Sequence, residues 1–173
     1  MSQTNMSRDF ERATQIVRDC GGEVVGRTKL QKVAYLLEAT GLGDGFAFEY
    51  RHYGPYSEQL TTAVRSAQLF DLLDEEERAT SWGGTYSIFK VRQSCGTDAG
   101  VRGELARIAV LADAIELELA ATAAFLASDG HKDAWAETAR RKPQKATARR
   151  VDGAKALYKQ LQKLSTPKQL PAI

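Results

Sequence analysis

The residues of this chain that could act as metal ligands or redox groups are few and widely spaced. Its two histidines are His52 and His131, and its two cysteines are Cys20 and Cys95. None of these forms a pair with the short spacing of a metal motif such as C-x-x-C or H-x-x-x-H. We therefore predict no metal site. Two cysteines so far apart also argue against a disulfide framework and favour a reducing compartment.

Nucleophilic catalysis lacks a complete set of residues as well. The chain has no G-x-S-x-G motif, and neither cysteine has neighbours that would activate it. His52 beside Tyr53 could serve as a base, but no third residue completes a triad. The run GLGDG, residues 41–45, lacks the full G-x-G-x-x-G pattern and follows a predicted helix, so it predicts a turn. The sequence thus predicts no catalytic residues, no cofactor and no enzymatic activity.

Two short segments concentrate polar and aromatic side chains. They are GRTKLQK, residues 26–32, and RHYGPYS, residues 51–57. In the second segment Gly54 can take backbone angles closed to other residues, and Pro55 suits the start of a helix. We interpret this segment mainly as architecture in which both tyrosines bury their rings. If so, Tyr53→Ala costs about 3–5 kcal/mol of stability.

Hydrophobic spacing places these segments in a mainly α-helical fold. Thr28 is the expected N-cap of the second helix. Up to residue 95 the predicted elements are helices over 8–19 and 27–40, a strand within 46–53, a helix beginning at Pro55 or Tyr56, and a hairpin of 72–75 with 85–91. This helix–helix–strand–helix–hairpin order is that of a winged-helix domain. We predict a winged-helix-like part over 1–95.

Residues 96–173 form the C-terminal helical part of the same compact domain in this prediction. Apolar spacing predicts one long helix over 101–127, a short helix around KDAWAETA, and a last helix capped by Thr147 that ends near Leu164. The final STPKQLPAI is expected to be a loose tail. The long helix could pair with a second copy of the chain, so a homodimer is possible.

Charge and hydropathy restrict where the protein acts. The net charge is only +2, but residues 132–168 carry 11 Lys and Arg against 3 Asp and Glu, a local excess of +8. Such a segment could meet an anionic partner or could be a solvated helix face. The N-terminus has no apolar signal region, and acidic residues interrupt the apolar stretch 108–127. We expect a cytoplasmic protein without a membrane span.

Double-stranded DNA is one anionic partner that the predicted order of elements allows. The helix after Pro55 lies where a winged-helix protein places its recognition helix. The side chains that could contact bases or phosphates are Thr61, Thr62, Arg65, Gln68, Arg140 and Arg141. Glu58 shares the outer face of that helix, which carries a single arginine, so this surface would neutralise few phosphates.

A resemblance to a known group rests on two motifs and an ending. Taken together, GRTKLQKVAYLLE and FEYRHYGPYS resemble the YwgA-type family of small bacterial and phage proteins, and more distantly the Panacea domain of SocA-like antitoxins. The stretch RRKPQKATARRVDGAKALYKQL resembles the ending of that group, so the resemblance covers residues 25–164. It implies a compact, mostly helical domain with no known catalysis. In the Panacea group the domain neutralises diverse toxins, and SocA delivers its toxin for proteolysis.

Three functions are consistent with these observations. The first is a regulatory, antitoxin-like module that binds a toxin or another conflict-system protein. Its candidate contact residues are Lys29, Lys32, Tyr53, Tyr56 and Ser57, and it predicts an exposed apolar groove and a toxin-like neighbouring gene. The second is a winged-helix transcriptional regulator that binds DNA. The third is an enzyme that uses His52 and Tyr53, which the missing catalytic partners disfavour.

Overall fold

Helices dominate the computed structural model, which describes residues 2–93 and 100–173, with side chains from Arg8 onward. The mainly α class is confirmed. Along the described chain the elements are α1 (Ser2–Asp19), β1 (Glu23–Val25), α2 (Arg27–Ala39), β2 (Glu49–Arg51), β3 (Gly54–Tyr56), α3 (Glu58–Leu69), β4 (Leu73–Ala79), β5 (Thr85–Val91), α4 (Gly100–Leu111), α5 (Ala114–Ser128), α6 (Ala134–Arg141) and α7 (Ala148–Gln162). No helix in these ranges is long and apolar enough to cross a membrane.

A three-stranded antiparallel sheet lies beside the first three helices. Its order is β1-β5-β4, so the first strand pairs with the last one in sequence. β1 was not predicted, because three residues are too few to show an alternating pattern. Val24 of β1 is buried opposite Phe89 of β5, and this pair anchors the sheet to the helical core. Chain entry into α2 uses Gly26, whose φ is 102°, so Thr28 is not the N-cap that we expected.

The β4–β5 hairpin is longer than the sequence indicated. β4 runs to Ala79, which places the acidic residues Glu76 and Glu77 within the strand. The tip is formed by Thr80 to Gly84, and its Trp82 side chain is 84% exposed. Glu76 pairs there with Arg78 and Glu77 with Arg27, so the hairpin presents an edge of paired charges and an aromatic tip to solvent.

The segment between α2 and α3 is a second small hairpin. Pro55 and Tyr56 belong to β3, which pairs with β2, so the prediction that α3 begins at one of them was wrong. The helix begins after Ser57, whose Oγ accepts a hydrogen bond from the Leu60 amide at 3.1 Å. A serine cap satisfies one of the free amides at a helix start, and this bond shifts the start beyond Pro55.

The long helix predicted over 101–127 is two helices. Asp113 ends the run because its Oδ1 accepts hydrogen bonds from the amides of Ile115 at 2.9 Å and Glu116 at 3.2 Å. These bonds cap the start of α5, so α5 is a separate helix from α4. α5 is buried along most of its length, and it packs against α2, α6, α7 and β3. It is the central helix of the fold.

The C-terminal segment is bound to the core, so the prediction of a loose tail was also wrong. Leu170 is 5% exposed. The Tyr158 hydroxyl donates to the Pro171 carbonyl at 2.7 Å, and the Lys168 amide donates to the Thr40 carbonyl at 2.9 Å. This segment joins α7 to the end of α2, while the expected Thr147 cap of α7 is confirmed.

Arg102 of α4 connects three separate parts of the chain. Its guanidinium donates to Asp19 at 2.5 Å, to Asp44 at 2.7 Å and to the Leu42 carbonyl at 2.7 Å. The Asp19 side chain is 1% exposed. Because a buried carboxylate without a cation is costly, this arginine holds α1 and the loop after α2 against α4.

Candidate functional site

A half-enclosed cleft of about 410 Å³ lies between α2 and α3. The β2–β3 hairpin closes one end with the rings of Tyr53 and Tyr56, and Phe89 of the sheet lines the other end. Leu30, Leu60 and Val64 also contribute apolar surface. The cleft has the size and mixed lining of a site for a small ligand or a short chain segment.

Several polar groups face this cleft without a protein partner. In the described part of the chain, the guanidinium of Arg65 and the hydroxyls of Thr28 and Tyr53 make no hydrogen bond or ion pair. Arg27 differs from them, because its guanidinium donates to Glu75 at 2.6 Å and to Glu77 at 3.2 Å. Arg65 is thus the cation at the cleft whose charge no carboxylate offsets.

Gln31 fixes the separation of the two helices that form the cleft. Its side chain accepts a hydrogen bond from the Ser57 amide at 2.8 Å and donates to the Ser57 carbonyl at 2.9 Å. It also donates to the Thr61 hydroxyl at 3.1 Å. Sequence reasoning did not select Gln31, although it lies within the GRTKLQK segment, residues 26–32. Its amide can donate and accept at once, as pairing with a backbone N–H and C=O requires.

A cluster of three lysines and one glutamate lies under the β2–β3 hairpin; we name Lys32, Lys142, Lys145 and Glu118 the lysine cluster. Lys142 donates to Glu118 at 2.7 Å, and Lys145 donates to both oxygens of the same carboxylate at 3.0 and 2.8 Å. Lys32 donates to the Pro55 carbonyl at 2.8 Å. With every amine protonated, the cluster carries a net positive charge in a largely buried place.

This environment changes the protonation of Lys32. The residue is 1% exposed. Burial, together with repulsion from Lys142 and Lys145, lowers the pKa of its amine to about 7, and attraction to Glu118 opposes this shift. A lysine that loses its proton near neutral pH behaves unlike one at the surface. The Pro55 carbonyl of the hairpin therefore accepts its hydrogen bond from an amine whose charge changes near neutral pH.

Gly54 fits the turn of this hairpin for two reasons. Its φ is 87°, in the region that favours glycine. A Cβ at this position would lie 2.3 Å from the Oγ1 of Thr122 on α5. That hydroxyl is buried and has no hydrogen-bond partner among the described residues. The hairpin is thus pressed directly onto the central helix.

The structure places the five predicted partner-contact residues in different roles. Tyr53 is 50% exposed, so the expectation of a buried ring was wrong for it. Tyr56 lines the cleft and shares a hydrogen bond with Thr61 at 2.8 Å. Lys29 lies elsewhere, since it donates to carbonyls at the end of α4 at 2.8 Å. Ser57, the cap of α3, is buried, and so is Lys32. Of the five residues, Tyr53 and Tyr56 are therefore the two that a partner could contact at the cleft.

The predicted DNA-contact residues also separate. On α3, Thr61 and Arg65 line the cleft and Thr62 is exposed to solvent, whereas Gln68 donates to Glu75 at 2.7 Å. Arg140 and Arg141 lie on α6, where both pair with Glu137. The Arg141 guanidinium also lies 4.6 Å from the centre of the Tyr50 ring. Much of the positive charge on α6 is thus used within the fold.

The isolated titratable residues offer no further site in residues 2–93 and 100–173. No group of His, Cys, Asp and Glu side chains there could hold a metal ion. His52 is exposed and packs edge-on against Tyr53, with ring centres 4.7 Å apart. Burial raises the pKa of the Cys20 thiol to about 12, so this thiol is unreactive at neutral pH. Cys95 lies outside the described residues.

Comparison with known proteins supports a YwgA-like relationship over part of the chain. The chain is 32% identical over 59 residues to the uncharacterized protein YwgA of Bacillus subtilis (strain 168). The match spans 34% of this chain and 35% of YwgA, about a third of each. No family model matches the chain, and no solved structure matches it. The more distant relationship to the Panacea domain stays a prediction.

Proposed function

We propose that this chain is a non-enzymatic, antitoxin-like regulatory module that binds a partner protein through the cleft between α2 and α3. The observation that carries the proposal is the cleft itself. It combines apolar walls, unpaired polar groups and the half-exposed ring of Tyr53 at its mouth. Exposed aromatic rings beside an apolar depression are typical of the centres of protein–protein contacts.

The charges around the cleft do not form the basic surface that a nucleic acid needs. The exposed carboxylates of β4 are paired with basic side chains, Asp74 with Arg92 and Glu76 with Arg78, and Arg65 is the exposed cation at the cleft that has no ion pair within the described residues. A duplex is usually bound through several phosphate contacts, whereas a protein surface can complement a mixed set of charges. The resemblance to the Panacea domain adds support, because members of that group act by neutralising a toxin. The toxin or conflict-system partner is then expected from a neighbouring gene.

Site-specific photo-crosslinking tests this proposal. p-Benzoylphenylalanine replaces Tyr53 in one variant and Leu111 in a control variant, because Leu111 of α4 is 84% exposed but is not among the residues that line the cleft. Each variant is irradiated with the purified product of the neighbouring gene. Crosslinking from position 53 and none from position 111 is the expected result. Equal crosslinking from both positions, or none from either, contradicts a contact at the cleft.

A winged-helix DNA-binding regulator is the second candidate, favoured by the topology of the sheet. The strand order β1-β5-β4, with α2 and α3 before the β4–β5 hairpin, is the order in which such domains place a wing. In this reading α3 lies in the major groove and Arg65 contacts the duplex. The reading requires salt-sensitive binding that prefers the promoter of the chain's own gene. Arg65→Ala would weaken that binding, and Arg140→Ala with Arg141→Ala would reduce its salt dependence.

A further inference from the structure

We infer that the cleft recognises a partner segment in which an apolar side chain stands next to a carboxylate, and that Arg65 determines this preference. The inference rests on the proposed function and specifies the chemistry of its partner. It assigns the apolar side chain to the pocket between the helices and the carboxylate to the unpaired guanidinium. An acidic peptide segment of a protein is therefore the occupant.

The apolar half of the inference follows from the walls of the cleft. Leu30, Leu60, Val64 and Phe89 form its floor and are each no more than 6% exposed. The accessible apolar surface above this floor comes from the rings of Tyr53 and Tyr56. Placing one large apolar side chain among such residues removes its surface from water, which is the main favourable term in most protein contacts. A volume of about 410 Å³ accommodates one such side chain with its neighbouring backbone.

The acidic half follows from the balance of charges at the walls. The charged residues that line the cleft are Arg27, Lys32 and Arg65 against the single carboxylate of Glu75. Glu75 pairs with Arg27, and the Lys32 amine is directed to the Pro55 carbonyl beneath the hairpin. Arg65 is the exposed cation left over. A guanidinium presents two parallel N–H donors that match the two oxygens of a carboxylate. Glu75 also lines the cleft, but its carboxylate is held by Arg27 and Gln68. One unpaired guanidinium therefore suits one carboxylate, whereas a run of phosphates would need several cations.

The cleft also offers hydrogen bonds to an extended segment beside that carboxylate. The Thr28 hydroxyl lies at the start of α2 and the Tyr53 hydroxyl at the hairpin, and both lack partners within the described residues. Hydroxyls can donate to a carbonyl or accept from an amide of a bound backbone. Polar groups at both ends of an apolar floor would therefore orient a chain that crosses the cleft.

Two isosteric dipeptides provide the test. The ¹⁵N-labelled full chain is titrated with acetyl-Phe-Asp-amide and with acetyl-Phe-Asn-amide, while amide shifts are followed by NMR at low and physiological salt. We expect saturable shifts at cleft residues such as Thr28 and Thr61. We expect the Asp dipeptide to bind about fivefold to tenfold more tightly than the Asn dipeptide, as one charge-assisted pair in a half-enclosed site allows.

Three variants assign the preference to its residue. Arg65→Met removes the charge but keeps an apolar stem, and it should lower the Asp-to-Asn affinity ratio to about one while preserving binding of the Asn dipeptide. Arg149→Met is the matched control, since Arg149 is exposed and makes no ion pair within the described chain, and it should leave the ratio unchanged. Arg65→Glu should transfer the preference to acetyl-Phe-Lys-amide.

Several outcomes would overturn the inference. Equal affinities of the two dipeptides for the wild-type chain would remove the role of the carboxylate. Shifts confined to α6 around Arg140 would place the anion contact elsewhere. Displacement of the Asp dipeptide by a short DNA duplex at physiological salt would assign the site to nucleic acid. Crosslinking at position 53 is independent of this charge preference, so the inference can fail while the proposed function stands.

Discussion

Replacing Lys32 with methionine should change how the stability of the protein depends on pH. Methionine keeps an unbranched apolar chain of similar length but removes the amine that donates to Pro55. Two other ammonium groups of the lysine cluster share the single carboxylate of Glu118. The charged form of Lys32 is therefore disfavoured in the folded state, and the substitution removes this pH-dependent penalty.

The size of the effect follows from the pKa of Lys32. In the unfolded chain its amine has the ordinary pKa of 10.5, and in the folded chain the pKa is lowered to about 7. Below pH 7 both states bind the proton, so the penalty is fully present. Between the two values only the unfolded state binds it, so the free energy of unfolding rises with pH by about 1.4 kcal/mol per unit. From about pH 6 to about pH 8.5, the titration of Lys32 therefore increases the free energy of unfolding by about 2 kcal/mol.

Urea unfolding of the wild-type chain and of Lys32→Met across this pH range measures the effect. The quantity of interest is the difference between their free energies of unfolding, in which the contributions of other titrating groups largely cancel. We expect this difference to increase by about 2 kcal/mol in favour of the wild type as pH rises. A difference that stays constant within about 0.5 kcal/mol would show that Lys32 remains charged, and the reasoning would be refuted.

Two further variants separate the cluster from general charge effects. Lys159→Met removes an exposed lysine of α7 and should leave the pH dependence as it is in the wild type. Glu118→Gln removes the carboxylate that supports the charged form of Lys32. It should lower the pKa of Lys32 further and move the rise in stability to lower pH. A shift in the opposite direction would mean that Glu118 does not stabilise the ammonium.

The other predictions concern stability and are measured by thermal and urea unfolding. Gly54→Ala should lower the free energy of unfolding by about 1–3 kcal/mol more than Gly45→Ala does. The two φ values, 87° and 88°, give similar strain, but of these two positions only Gly54 would bring a Cβ within 4 Å of another side chain. Equal losses of stability would exclude the contact with Thr122. Arg102→Met leaves the buried Asp19 carboxylate without its cation and should cost about 3–5 kcal/mol; a loss below about 1 kcal/mol would contradict the role of this arginine. Deleting residues 166–173 removes the buried Leu170 and should lower stability by about 2 kcal/mol, whereas an unchanged Tm would restore the prediction of a loose tail.

Local patterns in the sequence were sufficient for most of the helices. The apolar spacing of Ala13, Ile16 and Val17 identified α1, and Thr147 identified the start of α7. These features act over one or two helical turns, so neighbouring residues determine them. The split between α4 and α5 also had a local signal, because Asp113 stands three residues before Glu116, as in a capping box. The apolar spacing continues across this cap, and the prediction of one long helix rested on that spacing alone.

Features that depend on distant parts of the chain were not predictable in the same way. β1 forms because Val24 pairs with Phe89 of β5. A segment of three residues is too short to show this pairing in its own sequence pattern. The lysine cluster joins Lys32 of α2 to Glu118 of α5 and to Lys142 and Lys145 beyond α6. In the sequence, Lys142 and Lys145 belonged to the basic segment 132–168, and no contact with another part of the chain was predicted for them. Only the packing of α5 against the hairpin shows that two of them share one carboxylate.

The contacts of the β2–β3 hairpin imply that the cleft exists before any partner binds. Gln31 bonds both backbone groups of Ser57, so the start of α3 cannot move away from α2 without breaking two buried hydrogen bonds. Gly54 lies against Thr122, and the Lys142 amine holds the His52 carbonyl at 3.0 Å. Tyr53 is thus exposed on a hairpin that is fixed on both sides. A preformed site loses little conformational entropy on binding, so the partner segment, rather than this chain, must become ordered.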